Sequence, residues 1–407
     1  VSKRPWGYQP RAERPEPDWK LNPQTQSIRA GLARSGFGET SEALYLSSGF
    51  TYSSAEEAAS SFADETDHFL YSRFANPTIQ MFEKRMAALE GAESCMGTGS
   101  GMSAMFAAIA CLVSNGDKIV ASASMFSSCY VVLMEILPKW GITTELVEGN
   151  DRANWEAAIT KETKVVFIES PSNPLNEIVD IKLVSEIAHK VGATVIVDNV
   201  MASPVLQRPL ELGADVVMYS ATKHIDGQGR VLAGAILGSK EYIDTKLQPF
   251  TRHTGPALSP FNAWVLVKSL ETMELRVWRM AENAQKIAEF LEQHPKIKKV
   301  KFPGLPSHPS YELVKRQMKA GGSTIGFEIN GDQETTFKFL DQLRVIDISN
   351  NLGDSKSLIT HPASTTHRRL GPEVLAQMGI GESVLRLSVG LEHVDDLIKD
   401  LDQALSK

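Results

Sequence analysis

The sequence predicts an α/β protein, with a large domain built on a mostly parallel sheet and a smaller α/β domain after it. Two observations predict this. From Asn76 to about Leu237, short apolar runs alternate with helical segments, the pattern of strands covered by helices on both faces. A long helical stretch, Pro256–Glu292, then separates that alternation from a second, shorter set of strands and helices. The length agrees: 407 residues exceed one ordinary core and suit two domains plus a terminal extension.

In chain order, residues 1–24 are rich in Pro, Arg and Glu, lack periodicity, and read as an extended or disordered leader. Residues 25–71 carry short helical runs at Ile28–Arg34 and Ala55–Phe62, between polar and glycine-bearing loops. No apolar core of their own is visible, so residues 1–70 are expected to form an arm that lies on something else. Residues 71–255 form the large domain. Helical spacing covers Thr78–Leu89 and Met102–Leu112, the second opened by Gly97-Thr-Gly-Ser-Gly101. Strands are expected at Lys118–Ser122, Thr143–Val147, Val165–Glu169, Val195–Asp198 and Val216–Tyr219, with an antiparallel strand at Ala233–Leu237. Helices between them are expected at Val131–Trp140, Trp155–Thr160 and Ile181–Val191. Residues 256–407 form the small domain. It begins with the Pro256–Glu292 stretch, broken once, and continues with strands at Thr324–Ile329, Val345–Ile348 and Leu385–Val389. Its helices are expected at Glu334–Leu343 and Val394–Leu405.

Composition narrows the function. A net charge of −7 argues against nucleic acid or an anionic membrane surface as partner, since both select a basic face. Three cysteines, Cys95, Cys111 and Cys129, include no Cys-x-x-Cys pair and read as reduced structural thiols. No stretch approaches the roughly twenty apolar residues of a membrane helix, and no apolar signal core opens the chain. A cytoplasmic protein is expected.

In an open parallel sheet, ligands bind beyond the C-terminal ends of the strands. Three such ends carry chemistry here: Glu169-Ser-Pro-Ser-Asn173, Asp198-Asn199 and Ser220-Ala-Thr-Lys223. A lone lysine is most often a solvated surface charge. Lys223 instead follows a buried-looking strand, where burial would depress its pKa as a Schiff-base amine requires. Asp198 ends an apolar run, where it is either a cap or buried acceptor or the partner of a pyridinium nitrogen. Gly99-Ser-Gly-Met102 before a helix can cradle a phosphate on backbone N–H groups. It fails as a dinucleotide fingerprint, because no clear strand precedes Gly97. Arg386 is a charge inside a strand-like run and needs an anion there, a substrate carboxylate or a structural partner. His361 and His367 lack nearby Cys or carboxylate ligands, so a metal site is not expected.

Taken in order, Tyr71-Ser-Arg-Phe-Ala-Asn-Pro-Thr78, Gly99-Ser-Gly-Met102, Glu169-Ser-Pro-Ser-Asn-Pro174, Val197-Asp-Asn199, Ser220-Ala-Thr-Lys-His224 and Arg386-Leu-Ser-Val-Gly-Leu-Glu392 closely resemble the Cys/Met-metabolism family of pyridoxal 5'-phosphate (PLP) enzymes. The likeness runs from about Thr25 onward. It implies the fold-type I, aminotransferase-like architecture, and a homotetramer whose active sites are shared across a dimer. It implies Lys223 as the Schiff-base lysine and Asp198 at the pyridine nitrogen. It places Gly101, Met102, Ser220 and Thr222 at the phosphate, with Tyr71 and Arg73 reaching the phosphate of the neighbouring subunit. It sets Asn173 near the phenolic oxygen and Arg386 on the substrate α-carboxylate, with Asn351 and Tyr71 also lining the substrate.

Two departures stand out. Where the family commonly stacks a tyrosine on the cofactor ring, this chain has Phe126, which can stack but cannot donate a proton. Where many members read Ser-Leu-Gly-Gly-x-Glu-Ser-Leu, it has Asn351-Leu-Gly-Asp-Ser-Lys-Ser-Leu358, similar to the sulfhydrylase branch. The resemblance implies γ-replacement: O-succinyl-L-homoserine and sulfide giving L-homocysteine and succinate. Lys356 and Arg230 are the candidate cations for the succinyl carboxylate. The O-acetyl ester as substrate, cysteine as sulfur donor, a non-catalytic PLP-binding protein and, from another class, a nicotinamide-dependent oxidoreductase are the competing readings.

Overall fold

The computed structural model describes residues 19–406. The leader expected over residues 1–24 therefore lies outside the described residues up to residue 18. Its last part opens a helix, Pro23–Arg29, where a helix over Ile28–Arg34 was expected. Proline at the first helical position has no N–H to lose there. Gly31, at φ +66°, then ends the run, and a Cβ on it would meet Lys84 Cβ at 2.6 Å. The helix at Ala55–Phe62 matches the expectation, capped by Ser54 accepting from the Glu57 amide.

The large sheet has seven strands: β1 Ser94–Thr98, β2 Lys118–Ser122, β3 Thr143–Val147, β4 Thr163–Glu169, β5 Thr194–Asp198, β6 Val216–Ser220 and β7 Gly234–Gly238. Their order is β1-β7-β6-β5-β4-β2-β3. Strands β2 to β6 run parallel, and β7 pairs antiparallel with β6 and β1. The expected strands are all present, and the antiparallel one is β7. Strand β1 was not anticipated, and it contradicts the expectation that nothing extended precedes Gly97. Its five residues, Ser-Cys-Met-Gly-Thr, give too little apolar signal, because it is an edge strand with one half-shielded face. It pairs antiparallel with β7, so it is not the first strand of a parallel mononucleotide unit.

Helices cover both faces. Gly101–Ala110 packs on β6 and β7 in a core with Ile119, Phe167 and Met218. Ile181–His189 lies on the other face, in a core with Val166, Ile168 and Val197. The segment expected as one helix over Val131–Trp140 is an α-turn at Ser127–Val131, a π-turn at Val132–Ile136 and a 3-10 turn at Leu137–Trp140. A helical stretch over Lys240–Thr254 was missed. It tolerates Pro249 because a π-turn at Ile243–Leu247 precedes it.

The long stretch is two helices, Pro260–Leu270 and Met273–Gln293, broken once as expected. A second sheet follows: β8 Ile297–Lys301, β9 Thr324–Ile329, β10 Asp347–Ile348, β11 Leu358–Thr360 and β12 Val384–Ser388. Its order is β10-β11-β12-β9-β8. Strand β8 escaped notice because its Ile-Lys-Lys-Val-Lys sequence is an exposed edge, and β11 because it has three residues. The helix Val394–Leu405 buries Leu397 and Leu401 against this sheet.

Candidate active site

Strands β4, β5 and β6 lie side by side, and their C-terminal ends deliver the reactive groups. Glu169 ends β4 in register with Asp198 at the end of β5, and Asp198 pairs with Met218 on β6. Three residues beyond β6, Lys223 follows a turn closed by its own N–H to the Ser220 carbonyl at 3.1 Å. The N-terminus of the Gly101–Ala110 helix meets the same place. A Cβ on Gly101 would stand 2.5 Å from Ser220 Cβ, so only glycine lets the helix end approach β6 this closely. The helix is capped by Ser100, whose hydroxyl accepts from the Ser103 amide at 3.1 Å.

Arg386 comes from the middle of β12 in the second sheet and is buried. Its Nη1 donates to Asn173 Oδ1 at 3.0 Å, and its Nη2 to the carbonyls of Asn350 and Asn351, both at 2.9 Å. Its Nε has no partner among the described residues. Lys223 Nζ donates to Asn351 Oδ1 at 2.6 Å. The two sheets thus close on a cavity of about 400 Å³ whose walls include Gly101, Met102, Phe126, Asn173, Asp198, Ser220, Thr222, Lys223 and Arg386.

The electrostatics follow from burial. Lys223 is lowered from 10.5 to about 8, first by desolvation and then by the Arg386 charge. Asp198 is raised to about 7 by desolvation, against one hydrogen bond from the Val200 amide at 3.0 Å. Glu169 is pushed well up by burial and by Asp198. It accepts the Phe126 amide at 2.6 Å and the Asn173 amide at 2.7 Å. The Cys129 thiol shares this acidic corner, its sulfur within 4.8 Å of a carboxylate oxygen of each.

This donor set fits PLP. A buried carboxylate with no cation within ion-pair distance among the described residues suits a protonated ring nitrogen. A glycine-tight helix N-terminus beside Ser220 suits a phosphate. An amine that loses its proton near pH 8 suits imine formation. Thr222 lines the same wall, its hydroxyl donating to the Ala233 carbonyl at 3.3 Å and accepting the Ala233 amide at 3.0 Å.

The profile of the Cys/Met metabolism PLP-dependent enzymes matches residues 24–406. The chain belongs to that family. Its PLP dependence and α/β architecture go with the membership. Among its relatives in the family, an O-succinylhomoserine sulfhydrylase of Mycobacterium tuberculosis is 54% identical over 94% of this chain and 95% of its own. The Pseudomonas aeruginosa protein of the same name is 46% identical over 94% of each chain. A putative O-acetylhomoserine (thiol)-lyase of Campylobacter jejuni, solved with N'-pyridoxyl-lysine-5'-monophosphate, superposes with a TM-score of 0.91. It is 32% identical, covering 95% of this chain and 100% of that one.

Most of the site residues expected of a family member meet in the cavity. Tyr71 and Arg73 do not line it. The Arg73 guanidinium stacks instead over Phe74 at 4.6 Å, and Tyr71 is exposed. Asn351 reaches the cavity through Lys223 and walls a smaller one beside it. Of the two candidate cations for a succinyl tail, Lys356 pairs with Asp354 at 3.3 Å and walls neither cavity. Arg230 lines the smaller one. His361 is buried by hydrogen bonds to Ser364 and the Glu382 carbonyl. His367 stands edge-on to Phe126, ring centroids 6.4 Å apart. The residues missed were Glu169 as a second buried carboxylate and Cys129 beside it. Glu169 ends an apolar strand as Asp198 does, and the same argument applied to it would have found it.

Proposed function

We propose that this chain is a PLP-dependent O-succinylhomoserine sulfhydrylase, replacing succinate on O-succinyl-L-homoserine with sulfide to give L-homocysteine, a step toward methionine. The supporting observation is the cavity itself, with a deprotonatable Lys223, a buried Asp198 and an Arg386 whose Nε is unpaired, in a chain 54% identical to a protein of that name.

Bound PLP supplies an electron sink for the pair left at the substrate α-carbon. The chain's residues do the rest. Arg386 takes the α-carboxylate. Asp198 keeps the proton on the ring nitrogen. The Lys223 amine removes the α-proton and then a β-proton as succinate leaves the γ-carbon, and once sulfide has added at the γ-carbon it returns protons to the β- and α-carbons, serving in turn as base and acid. Asn351 Oδ1 holds that amine when no substrate displaces it. Phe126 lines the cavity without a hydroxyl, so Lys223 is the proton carrier on this route.

The same reading takes residues 71–255 and 256–407 as the two domains. It takes the protein as a cytoplasmic homotetramer in which Tyr71 and Arg73, exposed or displaced from their own cavity, complete the neighbour's. Among the described residues no helix is long and apolar enough to cross a membrane. A product assay with O-succinyl- and O-acetyl-homoserine, each against sulfide and cysteine, tests the activity. Preference for cysteine would make it a cystathionine γ-synthase, and preference for the acetyl ester an O-acetylhomoserine sulfhydrylase. Light scattering on eluted protein tests the tetramer.

A further inference from the structure

We propose that Arg230 forms a subsite for the distal carboxylate of a succinyl leaving group, in a side cavity that opens beside Lys223. The inference rests on the acyl-homoserine reading above and deepens it. The side cavity holds about 300 Å³ and is walled by Thr222, Lys223, Arg230, Leu232, Asn350 and Asn351 among others. It shares Thr222, Lys223, Leu232 and Asn350 with the main cavity. A substrate anchored by its α-carboxylate on Arg386 therefore has an adjoining space for the group on its γ-carbon.

Arg230 is held ready for an anion. Its amide donates to Asp226 Oδ2 at 2.6 Å and its Nε to Asp226 Oδ1 at 2.9 Å. Its Nη2 donates to the Asp226 carbonyl at 3.3 Å and to Ser269 Oγ. Asp226 is fully buried, so the anchor is fixed, while 40% of the Arg230 side chain stays exposed. Nη1 has no partner among the described residues. The cluster around the pair carries excess positive charge, with Arg230, Arg276 and Lys356 set against Asp226 and Asp354. Arg276 also draws on Asp226, and the other carboxylate near it, Asp354, is tied to Lys356 at 3.3 Å. The loop that carries Arg230 has little freedom. Gly229 sits at φ +65°, where a Cβ would meet Asp354 Oδ2 at 2.6 Å, and the Ser355 amide donates to the Gly227 carbonyl at 2.9 Å. A planar guanidinium with one free N–H edge, fixed on a buried carboxylate, pays little further entropy to bind a carboxylate. An acetyl ester has no charge to place there.

The test is kcat/KM of the holoenzyme for O-succinyl- and O-acetyl-homoserine with sulfide, in the wild type, Arg230→Gln and Leu232→Glu. Losing a hydrogen bond to a charged group predicts a fall in the succinyl-to-acetyl ratio of about tenfold or more in Arg230→Gln. Leu232 is exposed and lines both cavities, so Leu232→Glu removes no buried partner and sets a like charge beside the tail. It should lower the ratio too, and it carries the test if Arg230→Gln fails to fold. Free succinate should inhibit the wild type competitively and lose that inhibition in Arg230→Gln. A wild type that turns over neither ester overturns the proposed function and this subsite together. A wild type that uses the succinyl ester while both variants keep its ratio overturns the subsite alone.

Discussion

The Lys223 amine donates a 2.6 Å hydrogen bond to Oδ1 of Asn351, joining the turn after β6 of the large sheet to a loop of the second sheet across the cavity. The contact places the nucleophilic amine by two elements that fold around different cores. It also explains why Arg386 matters to Lys223, since Arg386 Nη2 holds the carbonyl of the same Asn351 and its charge depresses the lysine.

Lys223→Ala should abolish turnover, with a loss of about 10³-fold or more, because among the described residues it removes the only amine on the cavity wall and with it the proton carrier. The variant should fold, since the truncation also removes the cost of desolvating an ammonium. It should bind PLP without the lysine linkage, so that borohydride fixes the cofactor covalently to the wild type but not to the variant. Product formation and the mass of the borohydride-treated, denatured chain check this, and substantial residual turnover would remove Lys223 from the mechanism.

The apoprotein should show Lys223 reacting as an amine at a lower pH than other lysines. Its folded pKa lies near 8, below the usual 10.5, so the neutral amine accumulates as pH rises through about 8. A surface lysine does so through about 10.4. Acylation followed by peptide mass spectrometry across that range should give a midpoint near 8 for Lys223. A midpoint with the surface lysines would contradict the burial argument.

Asp198→Asn should cut turnover by roughly 10²-fold or more, yet flatten the pH dependence of apoprotein stability. The sign follows from the shift. The folded pKa of Asp198 is raised from 3.8 to about 7, so the folded state holds a proton that the unfolded chain has released. That contribution is fully present below the unfolded value and is lost as pH rises through about 7. Glu169 shifts the same way, first by its own burial and then because of Asp198, so the substitution removes the second of these causes. Melting temperatures of the apoprotein between about pH 5 and pH 8 should fall for the wild type and fall less for Asp198→Asn.

What the sequence made legible follows from what strands and helices need. The parallel strands β2, β4, β5 and β6 were readable because both faces are covered and their residues are almost continuously apolar. The groups at their C-terminal ends, Asp198 and Lys223, could then be placed on one side of the sheet. The edge strands β1 and β8 escaped because an edge need not be apolar. The side cavity was beyond reach as well. Arg230 was suspected from its neighbours, but its anchor on Asp226 and its opening toward Lys223 exist only once the turn after β6 packs on Asp354. Phe126 was read as a ring without an acid. That its amide also fixes Glu169 could not be read from a side chain at all.

The tight approach of Gly101 to Ser220 gives the last prediction. Cβ of an alanine at 101 would lie 2.5 Å from Ser220 Cβ and 2.7 Å from its Oγ. Neither neighbour can give way cheaply. Ser220 is the last residue of β6, and Gly101 opens a helix packed on β6 and β7. The helix end must therefore move off the strand, taking its backbone N–H groups with it. Alanine is the better helix former, so intrinsic propensity would favour the substitution. Steric displacement wins here, because contacts below 3 Å cannot be absorbed by backbone on both sides. Gly101→Ala should retain its fold and lose PLP affinity by about tenfold or more, the value of one charge-assisted hydrogen bond to the phosphate. Ser220→Gly removes the two closest atoms, so in that background Gly101→Ala should cost little further affinity. Titrating each apoprotein with PLP by absorbance checks both. Equal affinity in Gly101→Ala and the wild type would mean the helix end does not hold the phosphate.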